Sequence, residues 1–139
     1  MDQSIIATVG VVVIKKDDPE AVCLVKHLAL ANHITGVYGL PSGKIEKNES
    51  PVDAAVRELH EESGLLSAPK HMVFLKQYYA KIQQKDGMKR MTWDVYHCCS
   101  YQGELKESEE TSPIWVKKIN LSKITNFLPN VLEAIAQVR

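Results

Sequence analysis

The chain has 139 residues, of which 45% are hydrophobic and 24% are charged, and its formal net charge is zero. This length and composition predict a single globular domain over residues 1–139, rather than a disordered or fibrous chain. A zero net charge excludes a global electrostatic attraction to nucleic acid or to an anionic membrane. Any affinity for phosphate groups must therefore come from a local site.

Three cysteines, Cys23, Cys98 and Cys99, show no spacing typical of a zinc site. We interpret them as small buried residues of a protein in a reducing compartment, which predicts a cytoplasmic location. The apolar run at residues 5–14 is too short to span a bilayer, and a threonine and a glycine interrupt it. It is therefore predicted to be a buried strand.

The first elements along the chain are two β-rich runs, at residues 8–14 and 21–27. The turn at residues 15–19 joins them, so we predict a hairpin. A loop at residues 29–36 follows. We interpret His27 and His33 as ordinary polar residues, with contact to a substrate as the less favoured alternative.

A short helix is predicted between Ser50 and Gly64. Ser50 is a good N-cap, Pro51 occupies the first helical position, and Gly64 can end the helix in a left-handed conformation. Four apolar residues recur at helical spacing and are predicted to face a core: Val52, Ala55, Val56 and Leu59.

Three glutamates lie on another face of this helix. Glu58, Glu61 and Glu62 are related by i, i+3 and i, i+4, so three like charges come together and repel one another. A divalent cation would neutralise them, and a ligand set made only of carboxylates favours Mg²⁺ first and Mn²⁺ second. Arg57 and Glu49 can hold the ligands in place. The alternative interpretation is a solvated acidic face.

A second hairpin is predicted after the helix, with strands at residues 72–82 and 89–101 and an Asp-Gly turn signal between them. Its aromatic residues either pack the sheet, which we favour, or stack on a nucleobase. An acidic loop at residues 103–112, a short strand at 114–116, a helical turn within 121–128 and a terminal helix at 130–138 complete the chain. Asn130 is predicted to cap that last helix.

The spacing from Gly43 through Glu49 to the run Arg57–Leu65 resembles the complete signature of the Nudix hydrolases, with every fixed position filled. The resemblance implies an α/β fold, namely an α/β/α sandwich with a mixed sheet and a catalytic loop-helix-loop. It also implies Mg²⁺-dependent hydrolysis of a nucleoside diphosphate linked to another group, X. The partner is then a small nucleotide, and the oligomeric state stays open.

The resemblance assigns roles to residues in and around the signature. It implies that Glu58, Glu61 and Glu62 are metal ligands and that Glu49 and Arg57 support them in catalysis, with the general base left open. The backbone carbonyl of Ser42 is implied as a further ligand, although Ser42 stands where the family usually has glycine. The loop before Trp115 resembles that of mammalian-type 8-oxo-dGTP hydrolases, which maps the extra acidic ligand to Glu110, with Glu109 as the alternative.

The substrate is predicted by elimination and by one further resemblance. Features expected of ADP-ribose, dinucleoside polyphosphate and NADH hydrolases are missing, which leaves nucleoside triphosphates and similar nucleotides. The segment with Phe127 and Asn130 resembles the place where MutT-like enzymes read an oxidised guanine, so Asn130 and Phe127, together with Tyr38, are predicted to contact substrate. The alternatives are a nucleoside diphosphate-sugar hydrolase and a catalytically silent nucleotide-binding sensor.

Overall fold

A computed structural model of the protein describes residues 4–138. In this part of the chain, a mixed sheet carries one α-helix on each face. In chain order the elements are β1 (Ile5–Lys15), β2 (Asp18–His27), β3 (Tyr38–Gly39), β4 (Ser42–Lys44), α1 (Pro51–Ser63), β5 (Met72–Gln84), β6 (Gly87–Cys98), β7 (Thr111–Lys117) and α2 (Val131–Ala136). Short 3₁₀ turns cover Pro69–His71 and Lys118–Lys123.

Strand β1 is the centre of the sheet. On one side it runs parallel to β6, with Val9 opposite Asp94. On the other side it pairs with β4 and, near its end, with β2, both antiparallel. Strand β5 extends the sheet beyond β6, and β2 also pairs with β3 and β7. This arrangement places the signature loop, which begins with β4, directly beside the central strand.

The two faces of β1 face different helices because successive side chains of a strand point to opposite sides. Val11 and Val13 belong to a core closed by Ala54, Ala55 and Leu59 of α1. Val12 belongs to a second core that is closed by α2: Val131, Ala134 and Ile135. The predicted α/β/α sandwich with a mixed sheet is therefore confirmed.

Helix α1 begins and ends where the sequence predicts. The Ser50 hydroxyl accepts a hydrogen bond from the backbone N–H of Asp53, and Gly64 ends the helix with φ of 85°. Leu59 and Ala55 are fully buried, as predicted, whereas Val52 and Val56 are half-buried. The two predicted hairpins also form, and their turns are shorter than the sequence suggested, because β2 already begins at Asp18 and β5 continues to Gln84.

The end of the chain corrects one prediction. Asn130 precedes α2, but its side chain makes no capping hydrogen bond, and its backbone is left-handed, with φ of 68°. An N-cap residue normally has an extended backbone, which brings its side chain back towards the helix N–H groups. The positive φ of Asn130 removes that geometry, so the predicted cap is wrong. The helix is also shorter than predicted.

The three cysteines are unpaired. Cys23 and Cys98 are buried, as predicted, but Cys99 is exposed because it follows the end of β6. Among residues 4–138, no helix has the length and apolar character needed to cross a membrane.

Candidate active site

Arg57 organises the carboxylates of α1. Its Nε and Nη2 atoms donate to both carboxylate oxygens of Glu49, each at 2.8 Å. Its Nη1 atom donates to Glu58 at 2.9 Å and to Glu61 at 3.1 Å, and Nη2 also donates to the carbonyl of Lys44 at 2.8 Å. The planar guanidinium group therefore fixes the signature loop against the helix and orients two of the predicted ligands.

Two glutamates of α1 reach strand β4. The backbone N–H of Ser42 donates a hydrogen bond of 2.7 Å to Glu62 Oε1. The carboxylate of Glu58 lies against Gly43 so closely that a Cβ atom there would be 1.3 Å from Glu58 Oε2. A side chain at position 43 would therefore displace the Glu58 carboxylate from this position. Both carboxylates converge on the Ser42–Gly43 segment.

The enclosed positions of these carboxylates disfavour their charged forms. Burial, a hydrogen bond with Glu61 and the nearby negative charges raise the pKa of Glu58 well above its usual range, although Arg57 opposes the shift. Burial raises the pKa of Glu62 to about 8, against the lowering effect of the Ser42 N–H. In contrast, hydrogen bonds from Arg57 lower the pKa of Glu49 to about 2. Arg57 alone therefore does not compensate the ionised forms of Glu58 and Glu62.

The acidic loop before β7 approaches the same place. Thr111 Oγ1 donates to the carbonyl of Glu62 at 3.0 Å, which attaches the loop to the end of α1. The charge of Glu110 contributes to the raised pKa of Glu62. This electrostatic interaction supports the prediction that Glu110 is the extra acidic residue of the site.

The carboxylates do not form a ready metal cage. Among residues 4–138, no group of three or more His, Cys, Asp or Glu side chains has the arrangement of a metal site. The reason is that Arg57 engages Glu58 and Glu61, and Ser42 engages Glu62. The donor chemistry nevertheless fits a hard divalent ion, because the available atoms are carboxylate oxygens whose charged forms need compensation.

A cavity of about 90 Å³ opens beside this cluster. A bound water needs roughly 10–15 Å³ of such space, so the cavity can take a ring-sized group. Its apolar walls include Leu40, Ala80, Ile82, Met91, Trp93, Leu128 and Val131, and its polar lining includes Thr8, His33, Ser42, Lys44, Gln84 and Asn130. Ser42 both lines the cavity and binds Glu62, so the cavity and the carboxylates are neighbours.

The structure separates the three predicted substrate contacts. Asn130 lines the cavity. Tyr38 and Phe127 do not line it; both pack against the core beneath α2, where they form an isolated parallel bridge with each other. Their aromatic side chains pack against that core because the segments that carry them lie side by side there.

The sequence did not predict several of the residues that line the cavity, or favoured a packing role for them. Trp93 belongs to the aromatic set of the second hairpin, and it lines the cavity while its Nε1 atom donates to Ser42 Oγ at 3.2 Å. Gln84 and Lys44 carry no sequence pattern that marks them. They line the same cavity as Trp93 because β6 pairs with both β5 and β1, and β1 pairs with β4.

A model of the NUDIX domain family matches residues 5–135 of the chain. The chain belongs to the Nudix family. The resemblance drawn from the signature is therefore confirmed, and the carboxylates, the Arg57 network and the cavity described above are those of a Nudix domain.

Curated relatives match this Nudix chain over part of its length. A stretch of 50 residues is 42% identical to a putative 8-oxo-dGTP diphosphatase 3 of Mycobacterium tuberculosis and covers 36% of this chain and 23% of that protein. A stretch of 57 residues is 37% identical to phosphatase NudJ of Escherichia coli and covers 40% of this chain and 37% of that protein. The matches thus span well under half the length of these relatives.

Solved structures agree with the whole fold. A MutT Nudix hydrolase from Burkholderia pseudomallei superposes with a TM-score of 0.77 at 21% identity, over 98% of this chain and 99% of that one. The Nudix domain of Shewanella oneidensis NrtR, complexed with ADP ribose, superposes with a TM-score of 0.77 at 20% identity, over 99% of this chain and 88% of that one. At this identity the likeness establishes the fold.

Proposed function

We propose that this Nudix chain is a Mg²⁺-dependent hydrolase of nucleoside diphosphates linked to a group X. We assign a (d)NTP or an oxidised purine nucleotide as its substrate, cut to a monophosphate and pyrophosphate. The observation that carries the proposal is the position of Ser42, between the enclosed carboxylates of α1 and an apolar cavity. Phosphates and a nucleobase of one nucleotide can occupy these two neighbouring places.

The residues that would hold the ion are the carboxylates of Glu58, Glu61, Glu62 and Glu110 and the carbonyl of Ser42. Mg²⁺, or Mn²⁺ in its place, would supply charge neutralisation for the phosphates and a bound water of lowered pKa. Arg57 Nη1 contacts one oxygen each of Glu58 and Glu61, so the other oxygen of each carboxylate stays available to an ion, while the two hydrogen bonds to Glu49 keep the guanidinium group in place.

The cavity supplies orientation. Its apolar walls suit the faces of a planar base, and Trp93 contributes an aromatic surface. The Asn130 side chain is not used as a cap, so its amide can donate and accept hydrogen bonds in one plane towards a purine edge. Holding the base fixes where the phosphates lie relative to the carboxylates, which is the main demand of phosphoryl transfer.

The names of the relatives support the substrate assignment. The M. tuberculosis protein is named as a putative 8-oxo-dGTP diphosphatase, and its matched stretch is 42% identical to this chain. Three unpaired cysteines also suit the reducing cytoplasm that we propose as the location.

A nucleotide panel tests the proposal. The purified chain is incubated with Mg²⁺ and dNTPs, NTPs, 8-oxo-dGTP, ADP-ribose and nucleoside diphosphate-sugars, and pyrophosphate is scored against orthophosphate. We expect pyrophosphate and a monophosphate from the triphosphates. Turnover confined to sugar-linked diphosphates would overturn the substrate assignment, and no turnover of any member would favour a silent nucleotide-binding domain.

A nucleoside diphosphate-sugar is the second candidate substrate. A Nudix domain with the same fold holds ADP ribose, so the fold can accommodate a second sugar. The same panel separates the two candidates, because hydrolysis of a sugar-linked diphosphate yields two monophosphates and no pyrophosphate.

The role of Asn130 is tested separately with Asn130→Asp, which preserves the side-chain shape and tolerates the positive φ while removing the amide donors. We expect a changed order of base preference with unchanged Mg²⁺ dependence. Asn48→Asp is a matched control, since Asn48 also has a positive φ, of 64°, but does not line the cavity. A change in melting temperature alone would reject the base contact.

A further inference from the structure

Two histidines next to the cavity have ring nitrogens that the protein does not satisfy. Both ring nitrogens of His27 and the Nδ1 atom of His33 are buried without a hydrogen-bond partner in the described part of the chain. His27 is only 3% exposed, and the two ring centroids are 4.5 Å apart. Buried polar groups are nearly always paired in folded proteins, so these three atoms need an explanation.

The two histidines lie at one end of the cavity. His33 lines it directly. His27 lies behind Gly39, which also lines the cavity: a Cβ atom at position 39 would be 3.7 Å from His27 Nε2. The Leu128 side chain lies at the same place, with its Cδ1 atom 3.1 Å from that position, so His27 is enclosed behind Gly39 and Leu128. The histidine pair therefore forms one polar end of the cavity.

The loop that carries His33 is fixed in place. Asn32 Nδ2 donates to Gln84 Oε1 at 3.0 Å and to Asp86 Oδ1 at 2.9 Å, and the Lys85 N–H donates to the Asn32 carbonyl at 2.9 Å. Gln84 lines the cavity too. Since its oxygen accepts from Asn32, its Nε2 group is the part of the amide available to donate to a ligand.

The histidine end carries no positive charge at neutral pH. Burial, and then the neighbouring His33, lower the pKa of His27 to about 4, and burial lowers the pKa of His33. A phosphate or another anion would gain little from two neutral imidazoles. A neutral ring with hydrogen-bonding atoms along its edge matches them, because each imidazole can present a donor or an acceptor according to its tautomer.

We infer that His27 and His33 form, with Gln84, the base-reading end of the cavity, and that they favour a base with a carbonyl acceptor next to a ring nitrogen, as in a 6-oxopurine. The inference deepens the proposed nucleotide hydrolysis and rests on it. The carbonyl accepts from Gln84 Nε2, and the ring nitrogen pairs with His33 Nδ1. His27 lies behind His33, with the two ring centroids 4.5 Å apart, and supports its ring.

Substitution by phenylalanine tests the pair, because it keeps a ring of similar size and removes the nitrogens. We expect His33→Phe and His27→Phe each to lower kcat/KM for nucleotides with the preferred base by about 10- to 100-fold, chiefly through a higher KM. The differences in kcat/KM between nucleotides with different bases should become smaller. His71→Phe, in the 3₁₀ turn before β5, is the control and should leave the base preference unchanged.

Stability separates base reading from a structural role. His27→Phe removes two buried unpaired polar atoms, so we expect its melting temperature to stay level or rise while base discrimination falls. A purely structural histidine would lose stability and activity together. If the wild-type chain hydrolyses nucleotides and both variants keep its base preference, the inference fails and the proposed function stands.

A binding readout without metal or turnover completes the test. The ¹⁵N resonances of the histidine side chains are followed while guanosine monophosphate or cytidine monophosphate is added to the full chain. We expect the His33 Nδ1 resonance to shift with the guanosine nucleotide and to move little with the cytidine nucleotide. Binding of the guanosine nucleotide with unchanged His27 and His33 resonances would show that water, rather than a base, occupies the histidine end.

Discussion

Ser42 donates its backbone N–H to Glu62 Oε1 across 2.7 Å, and this bond connects the edge of the cavity to the end of α1. The same residue accepts a hydrogen bond on its hydroxyl from Trp93. One residue thus contacts both the group proposed to hold metal and the wall proposed to hold the base. Substitutions among the carboxylates should therefore have different kinetic effects from substitutions in the cavity wall.

Glu62→Gln should reduce kcat by roughly two orders of magnitude or more, because a neutral amide cannot compensate a divalent ion beside the phosphates. KM for the nucleotide should change much less, since the cavity is intact. Steady-state kinetics at saturating Mg²⁺ measure both constants. Glu20→Gln, at an exposed position on β2, is the control, and a near-normal rate for Glu62→Gln would remove Glu62 from the ligand set.

Arg57→Lys keeps a positive charge but loses the paired hydrogen bonds to Glu49. We expect the Mg²⁺ concentration needed for half-maximal activity to rise by about 10- to 100-fold, as is usual when a residue that supports metal ligands is removed. Titrations of activity with Mg²⁺ provide the measurement. If the Mg²⁺ concentration for half-maximal activity stays unchanged, the positive charge of residue 57 is sufficient, and the paired hydrogen bonds of the guanidinium group are not needed.

Gly43→Ala should displace the Glu58 carboxylate, since the added methyl group would fall 1.3 Å from Glu58 Oε2. A displacement of about 1 Å at a catalytic group can cost roughly 100-fold in rate, so kcat should fall by about that factor. The double variant Gly43→Ala, Glu58→Ala is the test of cause. If the collision acts through Glu58, the double variant is no slower than Glu58→Ala; an added loss would point to damage in the backbone of β4.

Acid should destabilise the protein through His27. Its pKa is lowered to about 4 in the folded chain, from an ordinary value of about 6.5, so the unfolded chain binds more protons between these values. The contribution of His27 to the free energy of unfolding is thus complete above pH 6.5 and is lost as the pH falls towards 4, by up to about 3 kcal/mol. Urea unfolding from pH 4 to 7 measures how steeply the free energy of unfolding changes with pH. His27→Phe should reduce this pH dependence, and an equal pH dependence in both proteins would contradict the prediction.

Local features of the fold could be predicted from the sequence. The ends of α1 follow from Ser50 and Gly64, whose effects act within a few residues. The spacing of Glu58, Glu61 and Glu62 likewise fixes their common face, because helical geometry is the same in every context. Both hairpins are also local, since a turn of two residues sets which strands pair.

Features that depend on distant parts of the chain could not be predicted. The cavity exists because β1 lies parallel to β6 and pairs with β4, and no periodicity within a strand encodes that neighbour. Asn130 has a good capping side chain, but its backbone is left-handed in the folded protein, which no local pattern predicts. The unpaired state of His27 depends on Gly39 and His33, which come together only in the folded protein.

The most direct test of the account is Mn²⁺ binding, followed by electron paramagnetic resonance of the free ion, with the wild-type chain and the double variant Glu58→Gln, Glu62→Gln. Mn²⁺ replaces Mg²⁺ at oxygen ligands, and binding removes the sharp signal of the hydrated ion. We predict that the wild-type chain depletes this signal and that the double variant does not. Equal depletion by the two proteins would show that the carboxylates enclosed against Ser42 and Gly43 do not hold the ion.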